Sequence, residues 1–185
     1  MSLRCFVAVD IENPGVIDAF VRFQGGLLDT GADLKCVERE NIHLTMRFLG
    51  DVREDLVDDL KGLIEGIRFE RFQSEFRGVG AFPNLRRPSV IWVGITRGVE
   101  ELEGIFNGLE GGLVKLGFRR DGRGFSPHIT LARVRSGRNR DRLVEYVSNS
   151  ADEAFGEFDV KQITLKKSVL TPKGPIYSTL AKSMT

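Results

Sequence analysis

The sequence repeats one order of elements at a nearly constant spacing, and this repeat limits the fold more than any other feature of the chain. His43 and His128 lie 85 residues apart, and the same shift places residues 6–8 on residues 91–93. Shifts of 87 and 86 residues align two further apolar groups: Leu56, Val57 and Leu60 with Leu143, Val144 and Val147, and Phe69 and Phe72 with Phe155 and Phe158. Each half therefore reads as strand, helix, histidine-bearing strand, helix and strand.

Two halves of this kind predict a single domain, residues 1–185, with pseudo-repeats of about residues 1–85 and 86–185. Each half is expected to supply one sheet, with a pseudo-twofold axis between the halves and helices packed outside. Chance recurrence of a common strand–helix rhythm is the alternative, and the constancy of the shift favours duplication. Locally, the pattern predicts a helix that begins at Asp51 and a strand over residues 155–170.

Composition excludes several classes of protein. With 41% apolar residues the chain can bury a core, and its net charge of +1 favours neither nucleic acid nor membrane. Cys5 and Cys36 are too few for a disulfide scaffold, and no Cys/His cluster has the spacing of a zinc site. The longest apolar stretches are far shorter than the roughly 20 residues that span a bilayer, and residues 5–9 are too few for a signal peptide. We expect a cytoplasmic protein that uses no metal or cofactor and binds no membrane.

Basic residues concentrate in one segment. Residues 115–142 contain nine Lys or Arg and two Asp, so this segment carries +7 and the rest of the chain −6. The planar guanidinium of Arg binds phosphate oxygens in a bidentate manner, which makes the segment a candidate anion-binding surface. A solvated loop and helix face would have the same composition, and both interpretations remain open at this point.

The two histidines each precede a threonine by two residues, in His43-Leu44-Thr45 and His128-Ile129-Thr130. Side chains alternate along a strand, so each His shares a face with its Thr. Two imidazoles with ordinary pKa values near 6.5 can act as base and acid at neutral pH, and neighbouring hydroxyls can donate hydrogen bonds to phosphate oxygens. A single strand histidine is more often a structural residue, but the symmetric repetition favours a catalytic pair. The pattern predicts metal-free acid–base cleavage of a phosphodiester.

Four stretches carry a resemblance to a known family: residues 4–9 (RCFVAV), 34–37 (LKCV), 41–50 (NIHLTMRFLG) and 125–133 (FSPHITLAR). On these stretches, which extend across almost the whole chain, the sequence resembles the 2H phosphoesterase superfamily. Within it, the sequence is most similar to the RNA 2',3'-cyclic phosphodiesterase family, also called 2'-5' RNA ligases. Members more often carry an aromatic residue at Cys36 and a proline at Arg39, and neither departure touches the His-x-Thr pairs.

The resemblance implies an α+β, bilobal fold in which two antiparallel sheets face a central cleft. It implies hydrolysis of an RNA 2',3'-cyclic phosphate end to a 2'-phosphomonoester, with RNA (tRNA fragments among the candidates) as the partner of a monomeric enzyme. His43 would be the proton donor to the departing 3'-oxygen and His128 the proton acceptor that activates water. Thr45 and Thr130 would bind the phosphate.

Two arginines, Arg47 and Arg133, follow the His-x-Thr pairs within the motifs. The resemblance implies that Arg133 also contacts phosphate, but strict alternation places it on the opposite face from His128, so the strand must bend or end there. Arg47 has the same parity as His43, yet a salt-bridged surface residue would fit equally well. From the basic segment, Arg119, Arg120 and Arg123 are candidates for binding the flanking phosphates of RNA.

Other functions remain open. The same site run backward would join a 2',3'-cyclic end to a 5'-hydroxyl without ATP, and we rank this 2'-5' ligation as secondary because water is abundant. A phosphodiesterase that acts on a small nucleotide cyclic phosphate is one alternative, and a non-catalytic RNA- or nucleotide-binding module is another. A two-histidine metal site is the third, which an assay in EDTA distinguishes.

Overall fold

The fold mixes strands and helices along the chain, in a computed structural model that describes residues 2–172 and 174–184. Over these residues there are nine strands, four α-helices and two short 3₁₀ helices, the latter at Arg39–Asn41 and Glu54–Leu56. In chain order the main elements are β1 (Ser2–Asp10), α1 (Pro14–Asp29), β2 (Leu34–Cys36), β3 (His43–Arg53), α2 (Val57–Gly66), β4 (Phe72–Phe82), β5 (Val90–Arg97), α3 (Val99–Lys115), β6 (His128–Val134), α4 (Arg140–Asn149), β7 (Ala154–Val160), β8 (Thr164–Thr171) and β9 (Gly174–Lys182).

The strands form two antiparallel sheets that meet at one point. One sheet has the order β3-β1-β8-β9 and is called the His43 sheet; the other has the order β7-β4-β5-β6, with β2 also on β6, and is called the His128 sheet. Within the described part of the chain, β3 and β6 share a single pair, Leu44 with Ile129, which makes the whole assembly continuous. The predicted α+β fold class is confirmed.

Each sheet contains strands from both halves of the chain, so the expectation that each half forms its own sheet is wrong. Strand β4 lies beside β5 because a short connection joins them as an antiparallel pair, and this connection draws β4 into the His128 sheet. Strands β8 and β9 complete the His43 sheet at the other end of the chain. Helices α1 and α4 contact the His128 sheet. Helix α2 contacts the His43 sheet, and α3 packs against α2.

Helix α1 illustrates how the sequence defines an element. The Asn13 side chain accepts hydrogen bonds from the Gly15 and Val16 backbone amides, and Pro14 occupies the first turn, where its missing N–H costs nothing. Phe20 and Leu27 lie on the buried face of this helix. None of the described helices has the length and apolar character that crossing a bilayer requires.

Two local expectations are wrong for one reason, which is strand pairing across the fold. The residues at Asp51 do not begin a helix, because Arg4 pairs with Asp51 and extends β3 to Arg53, and α2 begins at Val57. Residues 155–170 are not one strand, because β7 pairs with β4 in one sheet and β8 pairs with β1 in the other. The chain changes sheets between Val160 and Thr164.

Candidate active site

The pairing of Leu44 with Ile129 brings the two His-x-Thr motifs together. In an antiparallel register centred on this pair, position 43 neighbours position 130 and position 45 neighbours position 128. Leu44 and Ile129 are fully buried, and the four flanking residues point to the opposite, cleft face. An approximate twofold axis therefore runs through the pair. Each sheet contributes one imidazole and one hydroxyl to the same small area.

Both imidazoles are held in the same way by the backbone. The Nδ1 atom of His43 lies 2.7 Å from the Asn41 carbonyl oxygen, and that of His128 lies 2.7 Å from the Ser126 carbonyl oxygen. A carbonyl oxygen can only accept, so Nδ1 carries the hydrogen in each ring. The neutral imidazole then has a free lone pair on Nε2. In the His43 ring, Nε2 lies 2.9 Å from the Thr45 hydroxyl, which donates to it.

Aromatic rings enclose each histidine. The His43 ring centroid lies 5.0 Å from that of Phe6 and 5.5 Å from that of Tyr177, and the His128 centroid lies 4.9 Å from that of Phe82. Burial among these rings lowers the pKa of both His43 and His128 from the ordinary value of 6.5, because the charged imidazolium loses hydration. The backbone hydrogen bond at Nδ1 opposes this shift in each ring.

The charges next to the two histidines differ. Asp10 pairs with His43 across the strands, and its carboxylate lies 2.5 Å from the Lys166 ammonium group. Both charges act on the pKa of His43: Lys166 lowers it and Asp10 raises it. At the corresponding position beside His128 the chain has Gly94, which brings no charge. The pseudo-symmetry of the backbone therefore does not extend to the electrostatics.

Matching β-bulges change which side chains reach the cleft. Successive residues of β1, Val7 and Ala8, pair with Arg47 and Thr45, which leaves Met46 as an extra residue in β3. In the other sheet, Ile91 and Trp92 of β5 pair with Ala132 and Thr130. This leaves Leu131 as an extra residue in β6. An extra residue reverses the alternation of the side chains that follow it. The bulge supplies the bend that a phosphate-binding Arg133 requires, and Arg133 lies on the cleft face beside Thr130.

The same bulge turns Arg47 away from the cleft, so its parity with His43 does not bring it into the site. Arg47 is instead almost buried against α3, where its Nε donates to the Glu110 carboxylate at 2.6 Å. It also donates to the carbonyl oxygens of Phe48 and Arg119, at 2.6 and 2.7 Å. Glu110 in turn accepts from the Asp121 amide at 3.0 Å. Arg47 thus ties β3 to the loop that leads to His128.

A cavity of about 400 Å³ opens beside the motifs, between the two sheets. His43, Thr45, Thr130 and Arg133 belong to its lining, whereas His128 lies just beyond, two residues from Thr130 on the same face of β6. Sequence reasoning missed the other lining residues, among them Arg4, Lys35, Phe48 and Tyr177. Arg4 could have been predicted, because it lies two residues from Phe6 on β1 and so shares its face. Phe48, which is 54% exposed, could not, because the bulge at Met46 changes the face on which it lies.

The three arginines predicted to bind RNA lie outside this cavity. Arg119, Arg120 and Arg123 are exposed in the loop between α3 and β6, and none of them belongs to the described lining. The Arg123 guanidinium pairs with Asp121 at 3.1 Å and holds the pKa of that carboxyl below its usual range. Their role in binding RNA stays a prediction.

Metal ligands do not gather at the site. Among residues 2–172 and 174–184 there is no group of three or more His, Cys, Asp or Glu side chains arranged to hold a metal ion. What the described side chains offer is two imidazoles, two hydroxyls and a guanidinium around one cavity. Such a set can move protons and bind a phosphate.

Comparisons with known proteins cover nearly the whole chain. A family model described as LigT-like phosphoesterase matches twice, over residues 10–92 and 93–177, so each match contains one His-x-Thr motif. An RNA 2',3'-cyclic phosphodiesterase of Aeropyrum pernix is 41% identical over 165 residues, 89% of this chain and 94% of that protein. Another, of Methanothermobacter thermautotrophicus, is 38% identical over 180 residues, 96% of each chain. The crystal structure of the Thermus thermophilus protein TT0787 has a TM-score of 0.80 at 29% identity, covering 97% of this chain and 96% of that one.

Proposed function

The chain belongs to the LigT-like phosphoesterase family, the 2H family that its sequence predicted, and from this premise we propose that it hydrolyses the 2',3'-cyclic phosphodiester ends of RNA to 2'-phosphomonoesters. The observation that carries the proposal is the pairing of Leu44 with Ile129, which sets two imidazoles and two hydroxyls on one face beside a cavity with a cationic lining. The names of the relatives at 41% and 38% identity support the substrate class.

The proposed reaction is a single displacement at phosphorus. His128 Nε2 accepts a proton from water as the water oxygen attacks phosphorus, and the bond from phosphorus to the 3'-oxygen breaks. His43 Nε2 gives its proton to the departing 3'-oxygen, which leaves a 3'-hydroxyl and a 2'-phosphate. The hydrogen bonds from Nδ1 to backbone carbonyls support these roles, because they leave Nε2 as the nitrogen that gains and loses a proton in each ring.

Substrate binding would adjust the protonation of the pair. In the free protein, burial lowers the pKa of both histidines, which suits a base that must be neutral. A bound phosphodiester anion favours the imidazolium form of a nearby ring, and so raises the pKa of the acid, His43, when it is needed. Thr130 and Arg133 are proposed to donate hydrogen bonds to the non-bridging oxygens, and so is Thr45, whose hydroxyl would turn from His43 Nε2 to the phosphate once that ring is protonated. Ligation, with a 5'-hydroxyl in place of water, stays a prediction.

The test uses a short RNA with a 2',3'-cyclic end, whose product is analysed for the position of its phosphate. His43→Ala and His128→Ala should each lower turnover by about 10² to 10⁴, and the double variant should be little worse than the poorer single variant. Circular dichroism should report an unchanged fold. If either single variant keeps normal turnover, the two-histidine mechanism fails.

A second substrate separates the acid from the base. When sulfur replaces the bridging 3'-oxygen, the leaving thiolate needs no proton. This substrate should restore much of the activity of His43→Ala and none of that of His128→Ala. Rescue of His128→Ala instead would reverse the two roles.

A further inference from the structure

The cavity lining contains more positive charge than one cyclic phosphate needs. Arg4, Lys35 and Arg133 line it, opposed by one carboxylate, that of Glu38. None of the three cations forms an ion pair or a side-chain hydrogen bond with any described residue, although the acidic side chains of the chain are almost as numerous as the basic ones. A cyclic phosphodiester carries a single negative charge. The lining thus has charge to spare for a second anion.

Lys35 and Arg133 stand directly opposite each other in the β2–β6 pair. Side chains at such positions are neighbours on one face of the sheet, with Cβ atoms about 5 Å apart, and like charges there are destabilising. Neither side chain forms an ion pair with a carboxylate of the described residues, and Glu38 is the one carboxylate in the lining they share. An anion between the two side chains would turn the repulsion into binding energy.

Arg4 extends the cationic surface along the opposite sheet. It lies two residues from Phe6 on β1, about 7 Å farther along the strand, and Phe6 packs against His43. Arg4 pairs with Ser168 of β8, which pairs in turn with Tyr177 of β9, and Arg4, Arg133 and Tyr177 line the same cavity. Arg4 therefore lines the same cavity as His43 but lies farther along β1 from it than Phe6 does.

We propose that Arg4 and Lys35, one from each sheet, form a second subsite that binds the phosphodiester on the 5' side of the terminal nucleotide. This inference rests on the proposed function, because a 2',3'-cyclic end has its nearest neighbouring phosphate on that side. The subsite makes the enzyme selective for the ends of polynucleotides over mononucleoside cyclic phosphates. It also places the first contact with the RNA chain inside the cavity, rather than on the loop that carries Arg119, Arg120 and Arg123.

The test compares three substrates with the same terminal nucleoside: a mononucleoside 2',3'-cyclic phosphate, a dinucleotide with the cyclic end, and the same dinucleotide with a neutral methylphosphonate at its internal linkage. The wild-type protein should prefer the charged dinucleotide to the neutral one by about tenfold or more in kcat/KM. The Arg4→Gln/Lys35→Gln variant should lose this preference and change less than twofold on the mononucleoside. Arg22→Gln, which removes an exposed cation of α1, is the matched control and should behave as wild type.

Two results would overturn the subsite. One is a variant that keeps the preference for the charged linkage; the other is a variant that loses activity equally on all three substrates. Calorimetric binding of the two dinucleotides supplies a readout that needs no turnover: wild type should bind the charged one more tightly, and the double variant should bind both alike. If the wild-type protein cleaves none of the substrates, the proposed function fails, while the binding comparison still decides the subsite.

Discussion

The ion pair between Arg47 and Glu110 gives a prediction whose size follows from the structure. Both side chains are almost buried, at 12% and 5% exposure, so Glu110→Ala leaves a guanidinium with little access to water. Breaking a buried pair by removing one partner costs about 3–5 kcal/mol. Arg47 keeps its bonds to the carbonyl oxygens of Phe48 and Arg119, and Asp121 lies 3.8 Å from it. The expected loss is therefore at the lower end, about 3 kcal/mol.

Urea unfolding followed by circular dichroism measures this loss of free energy of unfolding. In thermal unfolding of a chain of this size, the same loss should lower the melting temperature by about 6–12 °C. Glu110→Gln removes the charge but keeps an acceptor for Arg47, and should cost about 2 kcal/mol. Arg47→Met/Glu110→Leu removes both charges, and its free energy of unfolding should lie within about 1 kcal/mol of the wild-type value. A loss below 1 kcal/mol for Glu110→Ala, or a double variant as unstable as the sum of its single variants, would refute the reasoning.

Three further predictions concern the reaction. The pH profile of kcat/KM should be bell-shaped and unaffected by EDTA, with both limbs below pH 6.5, because kcat/KM reports the free protein, in which burial lowers both histidine pKa values. The pH profile of kcat should lie at higher pH. A loss of activity in EDTA that a divalent ion restores would exclude the mechanism. Thr45→Val and Thr130→Val should each lower kcat by about 10- to 100-fold with little change in KM, whereas a pure KM effect would remove the hydroxyls from transition-state binding. Neutralising Arg119, Arg120 and Arg123 together should raise KM for long RNA and flatten its salt dependence, and kinetics identical to wild type at every salt concentration would dismiss this loop as an RNA contact.

The sequence was sufficient to predict that each histidine shares a face with its threonine, because that placement is local. His43 and Thr45 share a face through the simple alternation of a regular strand, and the same holds for His128 and Thr130. The repeat at a shift of about 85 residues then predicted two such strands in one fold. Family and fold class follow from these motifs, and both are confirmed.

What the sequence could not supply depends on distant partners. A bulge exists only relative to the strand beside it, so Met46 and Leu131 carry no local sign that the side chains after them change face. Strict alternation would place Arg47 in the cleft and Arg133 outside it, and the bulges reverse both placements. Tyr177 reaches His43 because β9 pairs with β8, a long-range choice.

In the part of the chain that the structure describes, one residue pair, Leu44 with Ile129, joins the two sheets, and a rotation of one sheet against the other would pivot close to it. His43 and His128 are each one residue from Leu44 or Ile129, so a rotation of one sheet against the other about this pair would hardly change the separation of the imidazoles. Arg4 and Lys35 belong to opposite sheets and lie farther from the pivot, and the same rotation would move them through much larger arcs. Such a rotation would therefore change the width of the cavity mouth far more than the separation of the two imidazoles.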